Sequence, residues 1–278
     1  MTVAEQTGLK ARDIRPKIAA EILADKETLL SGVHAAAIRE LLEQRGVLVF
    51  PKVNFTDAEQ LRFTNTLGSV ARERSGEEIY KVTLDAEKTP SADILKGSFY
   101  WHLDGTMQPK PILASLLSSK VLSPTGGNTE FCNTYAAYDA LPEEKKAEID
   151  GLRVMHSAWN TLFYYDPEPK QEKLEQMMAI GDIELPLVWK HRSGRKSLVL
   201  GCTARNIVGM DSKESARLLN GLRDWATQPD FVYSHKWSIG DLVMWDNTGT
   251  LHRAMPYPLD CGRELHRTKL EGEEPIAA

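Results

Sequence analysis

The sequence predicts a mainly β fold with flanking helices. Short β-favouring runs recur from Ser98 onward: residues 112 to 119 (I-L-A-S-L-L-S-S), 128 to 133 (N-T-E-F-C-N), 185 to 190 (L-P-L-V-W-K), 197 to 201 (S-L-V-L-G) and 236 to 246 (K-W-S-I-G-D-L-V-M-W-D). Turn residues such as P-T-G-G and R-S-G-R separate them. Helical spacing is confined to the first 70 residues and two later stretches. Many short strands so punctuated predict a sandwich or barrel with helices packed outside.

The elements follow in order. Residues 28 to 45 carry apolar residues at helical spacing, with Gly46 as the stop. G-V-L-V-F-P then reads as a short buried strand ended by Pro51. Thr56, with Glu59 three residues on, forms a capping-box start for a helix to about Leu67. His34 falls inside the first helix and reads as a surface or interface histidine. Residues 142 to 150 and 211 to 226 are expected as helices, the second starting at Asp211-Ser212 with Leu218, Leu219 and Leu222 on one side. Residues 72 to 98 and 157 to 185 read as irregular. With no repeat and no Pro/Gly-rich linker, residues 1 to 278 are expected to form a single domain.

Composition narrows the function. The 278 residues suffice for a real core, and 42% hydrophobic with 26% charged is ordinary for a soluble globular protein. A net charge of −5 without a long basic run argues against a nucleic-acid surface. The apolar runs are too short to cross a bilayer, and M-T-V-A-E-Q-T-G lacks the pattern of a signal peptide. Three scattered cysteines, Cys132, Cys202 and Cys261, offer no zinc-thiolate site and read as reduced thiols, so the expectation is a cytoplasmic protein.

The chemistry starts at W-H-L-D-G-T. In an extended segment His102 and Asp104 point to the same face and can offer a nitrogen and a carboxylate oxygen to one ion. His252, in W-D-N-T-G-T-L-H-R just beyond an apolar strand, is the candidate third ligand. Two His and one carboxylate leave three octahedral positions open, the geometry of non-haem Fe(II) oxygenases. His156, His191 and His235 sit beside strand-like runs and read as hydrogen-bonded structural residues. An iron oxygenase needs electrons, which 2-oxoglutarate could supply while chelating the metal through its keto-acid end. Its far carboxylate suits an Arg, and Arg263 and Arg267 lie 11 and 15 residues after His252, where both could reach one pocket. The competing reading of Arg267 is an ordinary ion pair with a nearby carboxylate such as Glu264 or Glu271.

Taken in order, H-x-D at 102 to 104, G-G-N-T-E-F at 126 to 131, G-D-L-V-M-W-D-N at 240 to 247, L-H-R at 251 to 253 and R-E-L-H-R-T at 263 to 268 resemble the TauD/TfdA family of Fe(II)- and 2-oxoglutarate-dependent dioxygenases. The resemblance spans roughly residues 30 to 272. It implies a double-stranded β-helix, the jelly roll, with His102, Asp104 and His252 on iron. It implies Thr129 and Arg263 on the distal carboxylate of 2-oxoglutarate, with O2 as the other co-substrate. Arg267 takes the position that several relatives use to hold a substrate anion. The activity implied is hydroxylation of an unactivated C–H in a small, anionic organic molecule, with succinate and CO2 as co-products. Desaturation or epimerisation at the same iron is the alternative, and a non-catalytic ligand-binding jelly roll is a distant third. Family relatives are often dimers or tetramers, so a homo-oligomer is expected. Trp101 and Trp245 are expected in the core, while Phe99 and Tyr100 are candidates for substrate contact. Two departures bear on the substrate: Thr248 stands where the family commonly has Arg after D-N, and Thr203 where some relatives place a Phe.

Overall fold

The computed structural model describes residues 8–73, 76–89 and 92–277. The chain opens with β1 (Ala11–Asp13) and β2 (Ala20–Ile22), followed by α1 (Lys26–Ser31), α2 (Ala35–Arg45), β3 (Val47–Phe50) and α3 (Asp57–Leu67). Then come β4 (Tyr80–Val82), a 3-10 turn at Ile94–Phe99, β5 (Ala114–Val121) and β6 (Thr129–Asn133). The middle holds α4 (Thr134–Asp139), α5 (Glu143–Ile149), β7 (Arg153–Ser157), α6 (Ala158–Tyr165), α7 (Gln171–Met178) and β8 (Asp182–Pro186). Three short strands, β9 (Val188–Lys190), β10 (Lys196–Leu198) and β11 (Ala204–Ile207), precede α8 (Ser212–Ala226). The chain ends with β12 (Val232–His235), β13 (Leu242–Asp246), β14 (Thr250–Ala254) and β15 (Glu264–Leu270).

Seven strands form the major sheet in the order β1-β2-β3-β13-β5-β15-β4, and β12-β6-β14 form a smaller one. The mainly β expectation and the jelly roll are both met. Strand alternation sorts the apolar residues to two sides. Leu48, Phe50, Leu116, Leu242 and Met244 pack with Leu29, Ile38 and Phe63 of the helices. Their neighbours Val47, Val49, Leu117, Val243 and Trp245 pack with Phe131 of the smaller sheet. Both faces are covered, which is why G-V-L-V-F and D-L-V-M-W read as continuous apolar runs rather than alternating ones.

Several expectations need correction. The helix expected over 28 to 45 is two helices, broken where Gly32 caps α1 with φ 75°. A Cβ there would also lie 3.2 Å from Thr66 of α3, so the chain must turn at a glycine to seat α1. His34 therefore precedes α2 at its N-cap rather than lying inside a helix. L-P-L-V-W-K divides between β8 and β9, which belong to different sheets, and S-L-V-L-G is a strand only to Leu198. Residues 157 to 185 are not irregular, since they carry α6 and α7, and residues 72 to 98 include β4. The capping box is present, with Thr56 Oγ1 accepting from Glu59 N–H and the Glu59 carboxylate accepting from Thr56 N–H. Among the described residues no helix is long and apolar enough to cross a membrane.

Gln60 of α3 staples that helix to the sheet. Fully buried, its amide donates to the carbonyls of Leu116 (3.2 Å) and His266 (3.1 Å), while its oxygen accepts from Ser118 Oγ (2.6 Å). Gln60→Leu keeps the bulk but leaves Ser118 without its acceptor and two carbonyls without that donor. The expected cost is about 2–4 kcal/mol, since each buried unsatisfied group costs about 1–3 kcal/mol. Urea unfolding tests this, and a midpoint matching wild type would refute it.

Candidate active site

The metal-ligand candidates come from two segments that backbone pairing brings together. His102 and His252 form an isolated antiparallel bridge, His102 N–H donating to the His252 carbonyl (3.1 Å) and His252 N–H to the His102 carbonyl (2.9 Å). The imidazoles lie side by side, ring centroids 4.1 Å apart. Asn247, in the turn after β13, fixes the third ligand. Its Oδ1 accepts from Asp104 N–H (3.1 Å), and its amide donates to the Asp104 carbonyl (2.5 Å). Gly249 in that turn lets the Tyr135 ring pack against the backbone, since a Cβ there would fall 1.7 Å from it.

Asp104 Oδ1 lies 3.8 Å from His102 Nε2 and Oδ2 lies 3.7 Å from His252 Nε2. Those separations are too long for hydrogen bonds and suit donors that converge on one ion. The three ligand atoms all fall within 4.8 Å of one another. His102 Nδ1 sits 2.8 Å from the Tyr100 carbonyl, which only accepts, so the proton is on Nδ1 and the Nε2 lone pair is free for a metal.

Electrostatics prepare the same atoms. Burial would raise the Asp104 carboxyl pKa, but Arg267 first, then the two histidines and Lys269, hold it well below the usual range. Burial, with His102 beside it, lowers His252 to about 3, so at neutral pH its imidazole is uncharged and able to ligate. The donor set is thus one carboxylate and imidazole nitrogen, which fits a divalent iron.

A cavity of about 400 Å³ opens on these ligands. Arg263, Leu265 and Arg267 line one wall from alternate positions along β15 and its approach, and Thr129 lines another. Arg263 is buried, donates to the Gly127 carbonyl (3.1 Å) and stacks over Tyr257 (4.7 Å). Among the described residues no carboxylate lies within ion-pair distance of it. A buried guanidinium without an anion fits the far carboxylate of a keto diacid. Thr129 Oγ1 accepts from Trp237 Nε1 (3.0 Å). Arg267 reaches Asp104 Oδ2 (3.2 Å) and Glu73 Oε1 (3.4 Å). Arg267 does make ion pairs, as its competing reading expected, but with these two carboxylates rather than with Glu264, which His266 (2.9 Å) and Lys88 (2.9 Å) engage.

All six sequence-derived site residues therefore line one cavity. Phe99 and Tyr100 do not line it: they pack on Tyr257 and Tyr164. Trp101 is core, whereas Trp245 packs in the core and also faces the cavity. Thr203 lines it too, its hydroxyl 2.9 Å from Nδ1 of the fully buried His156. Thr248 accepts the loss of the family Arg by capping Asp246 (2.6 Å) and meeting Tyr135 OH (2.8 Å). His191 lies between Glu274 and Ser197, and His235 between Tyr233 and Asp241, as structural residues would. Sequence reasoning missed Glu73, which follows no motif. It quoted Asn247 inside W-D-N without giving it a role, and read Trp237 only as part of a strand.

The fold and the triad define a dioxygenase of the two-histidine, one-carboxylate class. The chain belongs to the TauD/TfdA family, whose model (taurine catabolism dioxygenase TauD, TfdA family) matches residues 10–269. Members of this family are 2-oxoglutarate-dependent dioxygenases that use Fe(II) and O2, as the motifs implied. The chain is 35% identical over 276 residues to an alpha-ketoglutarate-dependent 2,4-dichlorophenoxyacetate dioxygenase of Cupriavidus pinatubonensis, covering 92% of this chain and 96% of that protein. It is 31% identical over 290 residues to an (S)-phenoxypropionate/alpha-ketoglutarate-dioxygenase of Delftia acidovorans, covering 96% of each. The crystal structure of AAD-2 in complex with Mn(II) and N-oxalylglycine superposes with a TM-score of 0.83 at 34% identity, covering 97% of this chain and 99% of that one.

Two outcomes are expected. His102→Ala and His252→Ala should each abolish Mn(II) binding in calorimetric titration, and retained wild-type affinity in either would remove that residue from the triad. His252 is buried rather than surface-accessible, so its variant should also unfold at a lower temperature. The second outcome concerns pH. Burial lowers His156 from 6.5 to about 4, so below pH 6.5 the unfolded chain takes up a proton that the folded chain refuses. Stability should fall as pH drops from about 6.5 to 4, His156 contributing up to about 3 kcal/mol of the loss. Denaturant titrations of wild type and His156→Asn across that window test it, and equal slopes would refute it.

Proposed function

We propose that this enzyme hydroxylates a C–H bond of a small carboxylic acid with an apolar body, of the aryloxyalkanoate kind, at the carbon bearing the heteroatom. The observation that carries this reading is Arg267 at the cavity wall, beside a metal ligand, in a cavity also lined by apolar residues such as Leu84, Leu95, Leu103 and Met107. Its guanidinium engages each of two carboxylates through a single contact, so it is already built to bind that group. The relatives named for phenoxy acids support the same class. The seven-stranded sheet runs from Ala11–Asp13 to Glu264–Leu270, which supports reading the chain as one domain.

His102, Asp104 and His252 would hold Fe(II), while Arg263 and Thr129 would hold the distal carboxylate of 2-oxoglutarate. Bound together, these groups supply the oxidising power that places one oxygen atom of O2 on a C–H carbon, with succinate and CO2 as co-products. The protein's own work is positional. Arg267 anchors the substrate carboxylate, and the apolar wall keeps water from the body of the substrate. Asp104 stays ionised and His252 neutral, so neither of these two must lose a proton before the metal arrives. Hydroxylation beside an ether oxygen gives a hemiacetal, which fragments to a phenol and a carbonyl compound.

Charge supports an anionic substrate. Asp104 is offset by Arg267, and Glu73 by Lys269 at 2.8 Å. Arg263 is then the surplus cation among the described residues of the site. A dication and a dicarboxylate cancel each other, so a monoanion is what brings the site to neutrality.

Arg263→Ala should raise the KM for 2-oxoglutarate by roughly ten- to a hundredfold, since a charged hydrogen bond contributes about 1.5–3 kcal/mol. Thr129→Val should act in the same direction more weakly. Arg267→Ala should instead uncouple turnover: succinate forms, but phenol release from an aryloxyacetate falls behind it. A succinate-to-phenol ratio that stays near wild type, with unchanged substrate affinity, would take Arg267 out of substrate binding.

A further inference from the structure

We propose that Trp237 is a positioning residue for co-substrate binding: its indole N–H fixes the Thr129 hydroxyl so that the hydroxyl proton is free to meet the distal carboxylate. This rests on the reading that Thr129 and Arg263 hold that carboxylate. A threonine hydroxyl has one proton and two lone pairs, and unrestrained it can turn either toward a ligand. Trp237 Nε1 donates to Thr129 Oγ1 at 3.0 Å, and both residues are buried. An indole N–H only donates, so it occupies a lone pair and leaves the hydroxyl as a donor. A carboxylate only accepts. The threonine is thereby matched to an anion before the anion arrives, and rotational freedom that binding would otherwise remove is already gone.

The indole is itself held. Its ring meets His235 edge to face, centroids 4.5 Å apart and planes at 87°. His235 Nδ1 lies 2.8 Å from Tyr233 OH, and Nε2 lies 3.3 Å from Asp241 Oδ2. Asp241 also accepts from the backbone N–H of Ser238 (2.8 Å) and Lys52 (2.9 Å). Burial would raise the Asp241 carboxyl, but His235 beside it and those two N–H groups bring it below its usual value, so it stays ionised as the acceptor of both N–H groups. Tyr233, His235, Trp237 and Asp241 thus form a rigid support behind one wall of the cavity. Thr129 and His235 are also direct partners in the β6–β12 ladder, so hydroxyl and support move as one body.

The test measures binding of N-oxalylglycine, and of pyruvate, to Mn(II)-loaded protein by calorimetry. Pyruvate shares the keto acid and lacks the distal carboxylate. Two changes remove the donor: Trp237→Phe, and site-specific incorporation of benzothienylalanine at 237, which keeps the shape of the indole and deletes only the N–H. Either should weaken N-oxalylglycine by about three- to tenfold while leaving pyruvate and Mn(II) affinities within about twofold. In a Thr129→Val background the same change should have no further effect, because the hydroxyl it orients is gone. Should Trp237→Phe fail to fold, the benzothienyl protein decides. Unchanged N-oxalylglycine affinity, equal losses for both ligands, or losses that multiply with Thr129→Val would overturn the proposal. If Arg263→Ala and Thr129→Val themselves leave N-oxalylglycine affinity untouched, the co-substrate reading fails as well, so the two failures are told apart.

Discussion

The structure depends on strand register in the major sheet. β3, β13, β5 and β15 are buried on both faces, so each residue must commit to the helical side or to the side shared with the smaller sheet. A slip of one residue would exchange every side chain between them. It would move Trp245 and Leu117 off the cavity and put Met244 and Leu116 there. On β15 it would replace Arg267, which faces the cavity, by His266 or Thr268, which bond α3 or its flank. Apolar pairing across β13 and β5, Met244 opposite Leu116 and Val243 opposite Leu117, holds that register. The chemistry is therefore specified by the same packing that stabilises the fold.

Charge follows packing. Arg263 is buried without a carboxylate partner among the described residues, and burial lowers its pKa from the usual arginine value. Asp104, by contrast, is surrounded by positive neighbours that overcome its burial. Each is costly alone, and their presence in one cavity marks it as a place where charged ligands complete the electrostatics. The supports are uncharged or internally paired: Asn247 behind Asp104, His156 behind Thr203, Trp237 behind Thr129. They hold polar atoms in place without adding net charge to the cavity.

Much of this was legible in the sequence. The six candidate site residues lie in short motifs whose residue types the chemistry demands, and one cavity gathers all of them. The capping box at Thr56 and the helix ending at Gly46 were legible because caps are local. The break at Gly32 was not, because the apolar spacing on both sides continues across it and only contact with Thr66 requires the turn. α6 was missed because W-N-T-L-F-Y-Y is largely aromatic, composition that favours strands until it packs on other helices, and α7 because its eight residues start without a side-chain cap. Glu73 could not be found at all: its role comes from reaching two cations on β15, nearly two hundred residues away.

The bridge between residues 102 and 252 has a consequence for how the protein is made. The ligand triad spans residues 102 to 252, so its last member is made 148 residues after Asp104. Its spacing is set by backbone pairing, which needs β13, the Asn247 turn and β14 in place. A chain synthesised only as far as β13 therefore holds one His-Asp pair and no finished chelate. Iron reactive toward O2 is captured only by a polypeptide that has already closed its longest loops. The order of synthesis thereby shields the growing chain from the oxidant that the mature enzyme is built to confine.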